Sequence, residues 1–358
     1  MKKKLLFIIP SLSGGGAERV IVTLLKRLSR EKFDMKLVLL VKEGTYLKEI
    51  PNDIEIINLN VQRVRSAVYP LLSTIWKVKP DVIFSTLGHL NLALILLKFL
   101  FPKKSKLVVR EGSIVSRNIL ANKFPKIWAL LYKYFYKNAD LIICQSQFMR
   151  DDLMSNFNVP SKKMHIIYNP VDITVIEAKS NQDPRPSPMK EENVNIIAIG
   201  RLSQEKGYER IIEAFPNLLE KKPNSKLFFL GMGPKEQQLK EKCRSMGIQE
   251  SVQFIGFQEN PYVWLKYADL FIISSYYEGL PNVLLEAIAC KCPSVSLVHP
   301  GGTREIFELT GQENRFVNNL SWEEEWFSKP QEDIVNRLAE HFGVTKIIAE
   351  YTKVFDHS

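Results

Sequence analysis

Cysteine is scarce in this chain. Its four cysteines, Cys144, Cys243, Cys290 and Cys292, are scattered over 358 residues without a CxxC pair. That excludes a disulfide-stapled scaffold and a thiolate zinc site of ordinary spacing. Reduced thiols in a cytoplasmic protein are the expectation. Long apolar runs are lacking as well: residues 92–101 are interrupted by Lys98 and fall far short of the ~20 residues that cross a bilayer. The start pairs three lysines with an apolar stretch. That stretch covers only residues 5–9, ends at Pro10 and a glycine run, and has no small-residue cleavage site. A buried parallel strand is therefore expected there, and no signal peptide. Two nucleotide-binding signatures are missing too: no GKS or GKT follows the first glycine run, and its glycines are not spaced G-x-G-x-x-G. A P-loop NTPase and an ordinary dinucleotide-dependent oxidoreductase are thereby disfavoured.

What is present is the composition of a globular protein, 45% apolar and 25% charged, in a chain long enough for two domains. The net charge of +10 is unevenly spread. Residues 1–139 carry 25 Lys and Arg against 9 Asp and Glu, and the rest of the chain 24 against 30. Between Lys98 and Lys137 ten basic residues and a single acid, Glu111, are interleaved with Phe99, Phe101, Phe124, Trp128, Tyr132, Tyr134, Phe135 and Tyr136. Cations mixed with aromatic rings suit an anionic membrane surface. Nucleic acid is the electrostatic rival, and ordinary solvated helix faces are the plain alternative.

Branched apolar stretches recur at residues 5–9, 36–41, 81–85, 106–109 and 140–144, separated by helix-like segments. After a polar, proline-containing stretch at 179–193 a second series follows, near 194–199, 226–230, 252–254, 270–274 and 294–296. Alternation of this kind specifies doubly wound parallel sheets. Two α/β domains in tandem are expected, over 1–170 and 171–340, with a ligand cleft between them and a C-terminal helical segment, 341–358, packing back on the first domain.

Three motifs punctuate these domains. The first strand runs into SLSGGGAER at 11–19, where glycines let a backbone approach an anion closely, although a merely tight turn would serve as well. GRLSQEKG at 200–207 follows the first strand of the second domain, and Arg201 and Lys206 are able to converge on two phosphates. SSYYEGLPNVLLEA at 274–287 is the most informative: a strand ends, Gly279 allows a bend, Pro281 suits a first helical turn, and the helix start favours anions. Glu278 and Glu286 flank that start as acceptors for hydroxyl groups. Taken singly, each is also readable as a dipole-stabilising acid or a salt-bridged helix residue.

In this order and spacing the three motifs resemble the retaining glycosyltransferases of family four, the group 1 glycosyl transferases with a GT-B fold. The likeness covers nearly the whole chain, and Glu278 and Glu286 reproduce the family's E-x7-E motif. It implies two Rossmann-like domains facing each other across a cleft, and synthesis of bacterial surface polysaccharide, lipopolysaccharide or lipid-linked oligosaccharide. It also implies roles. Arg201 and Lys206 would hold the donor diphosphate and Glu278 the sugar hydroxyls, these three forming the catalytic set. Glu286 would take the ribose. The segment Gly279, Leu280, Pro281, Asn282 and Val283 would meet sugar and phosphate through the amides of its non-proline residues. Gly15 and Gly16 would close on the phosphates, and Gly231, Gly256 and Phe257 would flank the base.

The resemblance further implies transfer of a hexose or N-acetylhexosamine from a nucleoside diphosphate sugar, UDP first, to a glycan or lipid-linked acceptor. The resemblance implies neither a metal nor another cofactor, and the chain contains no DxD of the kind that metal-dependent GT-A enzymes use. A place at the inner face of the cell membrane fits such an acceptor, with an anionic membrane surface and no nucleic acid as partner. Two features depart from the family pattern. Lys291 stands where many relatives have glycine, and Arg110-Glu111 stands where many have a His-Asp pair. Arg110, Glu111 and His89 are accordingly the acceptor-side candidates. A sugar-nucleotide epimerase on the same scaffold, or a membrane-binding protein with an inactive transferase fold, are the other readings.

Overall fold

Most of the apolar stretches form parallel strands because they are buried on both faces and are followed by an α-helix that crosses back over the sheet. A computed structural model describes residues 2–358. The chain divides into two units, residues 1–170 with 345–358, and residues 171–344. The first holds β1 (Lys3–Ile9), β2 (Phe33–Leu39), β3 (Glu55–Asn58), β4 (Val82–Thr86), β5 (Lys106–Arg110), β6 (Leu141–Cys144) and β7 (Met164–Ile166). Their order is β3-β2-β1-β4-β5-β6-β7, all parallel. The second holds β8 (Val194–Ile199), β9 (Ser225–Leu230), β10 (Val252–Gly256), β11 (Leu270–Ile273), β12 (Ser294–Leu297) and β13 (Phe316–Val317). They are ordered β10-β9-β8-β11-β12-β13, again parallel.

Three of these strands, β3, β7 and β13, escape the sequence pattern. All are short and lie at sheet edges, where one side of the strand lacks a neighbour and the apolar signal is weak. In each sheet the strand order reverses beside the first strand, between β1 and β4 and between β8 and β11. Loops leaving neighbouring strands diverge there and open a crevice at the carboxyl edge.

Helix Val344–His357 belongs almost entirely to the first unit. Its Phe355 meets Phe7, Phe33 and Phe84 edge-on, and Tyr351 meets Phe84, so one helix covers the centre of the sheet. The changeover falls at Val344, later than residue 340, because Val171 binds the backbone on both sides of Gly343: its amide donates to Phe342 O and its carbonyl accepts from the Val344 amide.

Helix Asn282–Ala289 ends in a left-handed residue, Lys291, with φ of 54°. The Lys291 and Cys292 amides donate to Ile288 O and Ala287 O, both at 2.9 Å, the double bond that glycine ordinarily makes possible at a helix end. Lysine holds the same turn at a steric cost, with its ammonium paired to Glu332. Lys291→Gly is therefore expected to stabilise the protein by about 1 kcal/mol in urea unfolding; a loss of stability would mean that the Glu332 contact outweighs the backbone strain.

Candidate active site

Because β8 and β11 are neighbours, the loops that follow them emerge side by side. Lys206, at the end of the β8 loop, extends its ammonium to Glu278 on the β11 loop, with Nζ 2.7 Å from Oε1. The Ser275 hydroxyl donates to the same oxygen at 2.6 Å, and Ser274 Oγ–H donates to Lys206 O at 2.8 Å. Gly207 permits this approach: a Cβ there would sit 2.4 Å from Ser274 O. Burial raises the Glu278 carboxyl, but the Lys206 charge and hydrogen bond, with the Ser275 hydroxyl, more than offset it and leave the group below the usual carboxylate range. Glu278 is therefore an anion and an acceptor only, and it stays 13% exposed and able to meet a ligand.

The loop after β12 closes the other side. Glu278 N donates to Pro300 O and Gly302 N to Gly279 O, and a Cβ on Gly301 would lie 1.7 Å from Glu278 O. His299 is buried against Leu297 O and Thr303 Oγ1, 2.7 and 2.8 Å away. Burial lowers its imidazole below the usual range despite the opposing field of Glu278. Neutral histidine facing a carbonyl through Nδ1 must donate there, so Nε2 accepts from the Thr303 hydroxyl. Neither the Ser275 hydrogen bond to Glu278 nor the place of His299 within its electrostatic field is legible in the sequence motifs.

Helix Asn282–Ala289 begins immediately beyond, with Pro281 as its N-cap and not within its first turn. Its positive end faces the same loops. Leu280 and Pro281 are buried, Asn282 and Val283 half-buried, and Glu286 is buried in the second turn. Arg201 is exposed directly after β8. Gly200, Gly231 and Gly256 lie at the ends of three adjacent strands: Gly231 N donates to Gly256 O at 2.8 Å, and a Cβ on Gly231 would lie 2.0 Å from Gly200 O. Phe257 projects beside them, half exposed.

In the first unit, Gly15 caps helix Gly16–Arg27 and both glycines are exposed. Space at Gly15 is limited by Glu18, whose Oε2 would be 2.4 Å from an added Cβ. The acceptor-side candidates are not brought together. Strand alternation sends Arg110 and Glu111 to opposite faces, and both are fully buried. Arg110 binds Thr86 and Asn169 and lies within the field of Glu18, yet its Nε and the nearby Tyr351 hydroxyl make no hydrogen bond of ordinary geometry. Glu111 accepts from Tyr136 and, at 3.4 Å, from Asn91. His89 is exposed, its Nε2 3.2 Å from Asn122 Oδ1 and its ring against Trp128.

Residues 14–175 match the family model described as Glycosyltransferase Family 4, and residues 179–324 the one described as Glycosyl transferases group 1. A Campylobacter jejuni N-acetylgalactosamine-N,N'-diacetylbacillosaminyl-diphospho-undecaprenol 4-alpha-N-acetylgalactosaminyltransferase is 32% identical over 317 residues, 85% of this chain and 83% of its own. The chain is a family four glycosyltransferase. An amylovoran biosynthesis glycosyltransferase of Erwinia amylovora is 24% identical over 86% of the chain and 84% of its own length. Anabaena HepE, solved in complex with UDP-glucose, superposes with a TM-score of 0.79 at 19% identity over 99% of this chain and all of its own. Both Rossmann-like units of the GT-B fold are thus present in this glycosyltransferase.

Burial pushes Glu111 up from 4.5 to about 7, against the pull of Tyr136, Asn91 and Arg110. The folded transferase then keeps a proton that the unfolded chain releases, so this group's contribution is full below pH 4.5 and declines as pH rises to about 7. Glu111→Gln cannot ionise. Relative to wild type it should gain about 2–3 kcal/mol in urea unfolding between about pH 5 and about pH 8; a difference independent of pH would show that Glu111 is charged in the fold.

Proposed function

We propose that this glycosyltransferase moves a hexose or N-acetylhexosamine, with retention, from a UDP-sugar to a lipid-linked glycan, without a metal. The observation that carries the reading is the Lys206–Glu278 pair at the β8–β11 reversal, beside the start of helix Asn282–Ala289. It combines a cation, a helix dipole and an ionised acceptor within one crevice edge. A nucleoside diphosphate sugar presents the complementary groups in sequence: an anionic diphosphate, then sugar hydroxyls. Lys206 and the exposed Arg201 would neutralise the diphosphate, and Glu278 would accept from the transferred sugar. Glu286 would meet the ribose, and the glycine row at 200, 231 and 256 with Phe257 would leave room for the base.

In the reaction, the bond from C1 of the sugar to the β-phosphate oxygen breaks and a bond from C1 to the acceptor oxygen forms on the same face. The acceptor's proton passes to the departing phosphate oxygen, so no protein base is required. The protein contribution is charge stabilisation on the leaving diphosphate. Lys206 reaches Glu278 before any donor arrives; an incoming phosphate would share the ammonium, and Ser275 would keep Glu278 oriented as it does. The Campylobacter relative's name supports two parts of this reading, since it specifies an α-linked product on a diphospho-undecaprenol acceptor. UDP-sugars are ordinarily α-linked at C1, so an α product means retention. HepE's complex with UDP-glucose supports uridine as the base.

A panel of nucleotide sugars, followed by release of nucleoside diphosphate in the presence of a chelator, tests the proposal. Turnover is expected with a UDP-sugar, and Arg201→Ala or Lys206→Ala should lower it by roughly 100- to 1,000-fold while the protein stays folded. Full activity in either variant, dependence on an added divalent ion, or turnover confined to other nucleotides would contradict it.

A further inference from the structure

The chemistry above leaves the basic, aromatic region of the first unit unused. Helix Pro125–Phe135 buries only Tyr132. Its opposite side exposes Ile127, Leu130 and Tyr134, at 55%, 53% and 57%. These positions follow the 3, 4 spacing of one helical stripe. Lys123, Lys126, Lys133 and Lys137, all exposed, border that stripe. At its start Leu120 and Phe124 are exposed too. At its far end Lys98 donates to Asn138 O at 2.8 Å and pairs with Asp140, which brings the neighbouring Phe99, 80% exposed, to the same end of the helix. The only acid between residues 98 and 137 is Glu111, and it is buried. Trp76 and Leu100 join on by the Trp76 Nε1 bond to Leu100 O at 2.9 Å.

An apolar ridge with a lysine rim is an unusual surface to leave in water, because isolated exposed apolar residues are common but contiguous ones mark an interaction site. The rim decides the partner. A protein groove would have to be acidic along both flanks of the ridge, whereas a bilayer containing anionic lipid offers phosphates on every side and hydrocarbon between them. Lysine stems are long enough to follow the ridge while their ammonium groups stay at headgroup depth. We infer that helix Pro125–Phe135, with Leu120, Phe124 and Phe99, is a membrane-docking face that lays Ile127, Leu130 and Tyr134 into an anionic bilayer surface.

The test is co-sedimentation of the full chain with phosphatidylcholine vesicles and with vesicles containing roughly 30% phosphatidylglycerol, a composition that supplies a strong negative surface potential. Wild type should bind the anionic vesicles and barely bind the neutral ones. The triple variant Ile127→Ser, Leu130→Ser, Tyr134→Ser should lose binding at unchanged melting temperature, as the replaced side chains are exposed. Lys123→Ser, Lys126→Ser, Lys133→Ser should weaken it on the order of 100-fold. Absence of binding to anionic vesicles overturns the inference. So does binding that survives loss of the ridge, which would be unspecific attraction to polyanions. A wild type that dimerises through the ridge and ignores vesicles would assign the face to a second copy of the chain. None of these outcomes depends on which donor or acceptor the enzyme uses.

Discussion

An ammonium and a carboxylate held 2.7 Å apart at the reversal of a parallel sheet mark the crevice edge of the second unit of this protein. Each partner comes from a different strand's loop, so the pair exists only if β8 and β11 are adjacent. Adjacency in turn requires the crossover connections that right-handed βαβ units supply. The glycines around the pair follow from the same demand. Gly207 and Gly301 stand where a Cβ would strike Ser274 O or Glu278 O, so the backbone can close around the carboxylate only where side chains are missing.

The pair also explains why the environment of Glu278 is polar on one side and buried on the other. Ser275 and Lys206 hold the charge, while His299, neutral and locked between Leu297 and Thr303, fills space without competing for it. A carboxylate maintained in this way makes a poor proton donor or acceptor at neutral pH and a good hydrogen-bond acceptor for hydroxyls. On the proposed function such a site would work by electrostatic complementarity, a chemistry that needs position more than reactivity.

Much of this was legible in the amino-acid order. The buried strands announced themselves as branched apolar runs, and Glu278 and Glu286 declared the family through their spacing. The edge strands β3, β7 and β13 did not, because a short, half-solvated strand has no continuous apolar run. Nor did the partnership of Lys206 with Glu278, which joins residues 72 positions apart and depends on strand order. Arg110 and Glu111, adjacent in sequence and plausible as one acceptor-side pair, are separated by the pleat and enclosed by Asn169 on one face and Tyr136 on the other. Lys291 looked like a lost glycine, and the left-handed turn survives it.

The central claim is that the Lys206–Glu278 crevice edge receives a uridine diphosphate, and calorimetric titration of UDP with chelator present addresses it without requiring an acceptor. Wild type should bind, and Lys206→Met should bind roughly 10- to 100-fold more weakly, the worth of one charge-assisted hydrogen bond. Equal affinity in the two proteins would contradict the account.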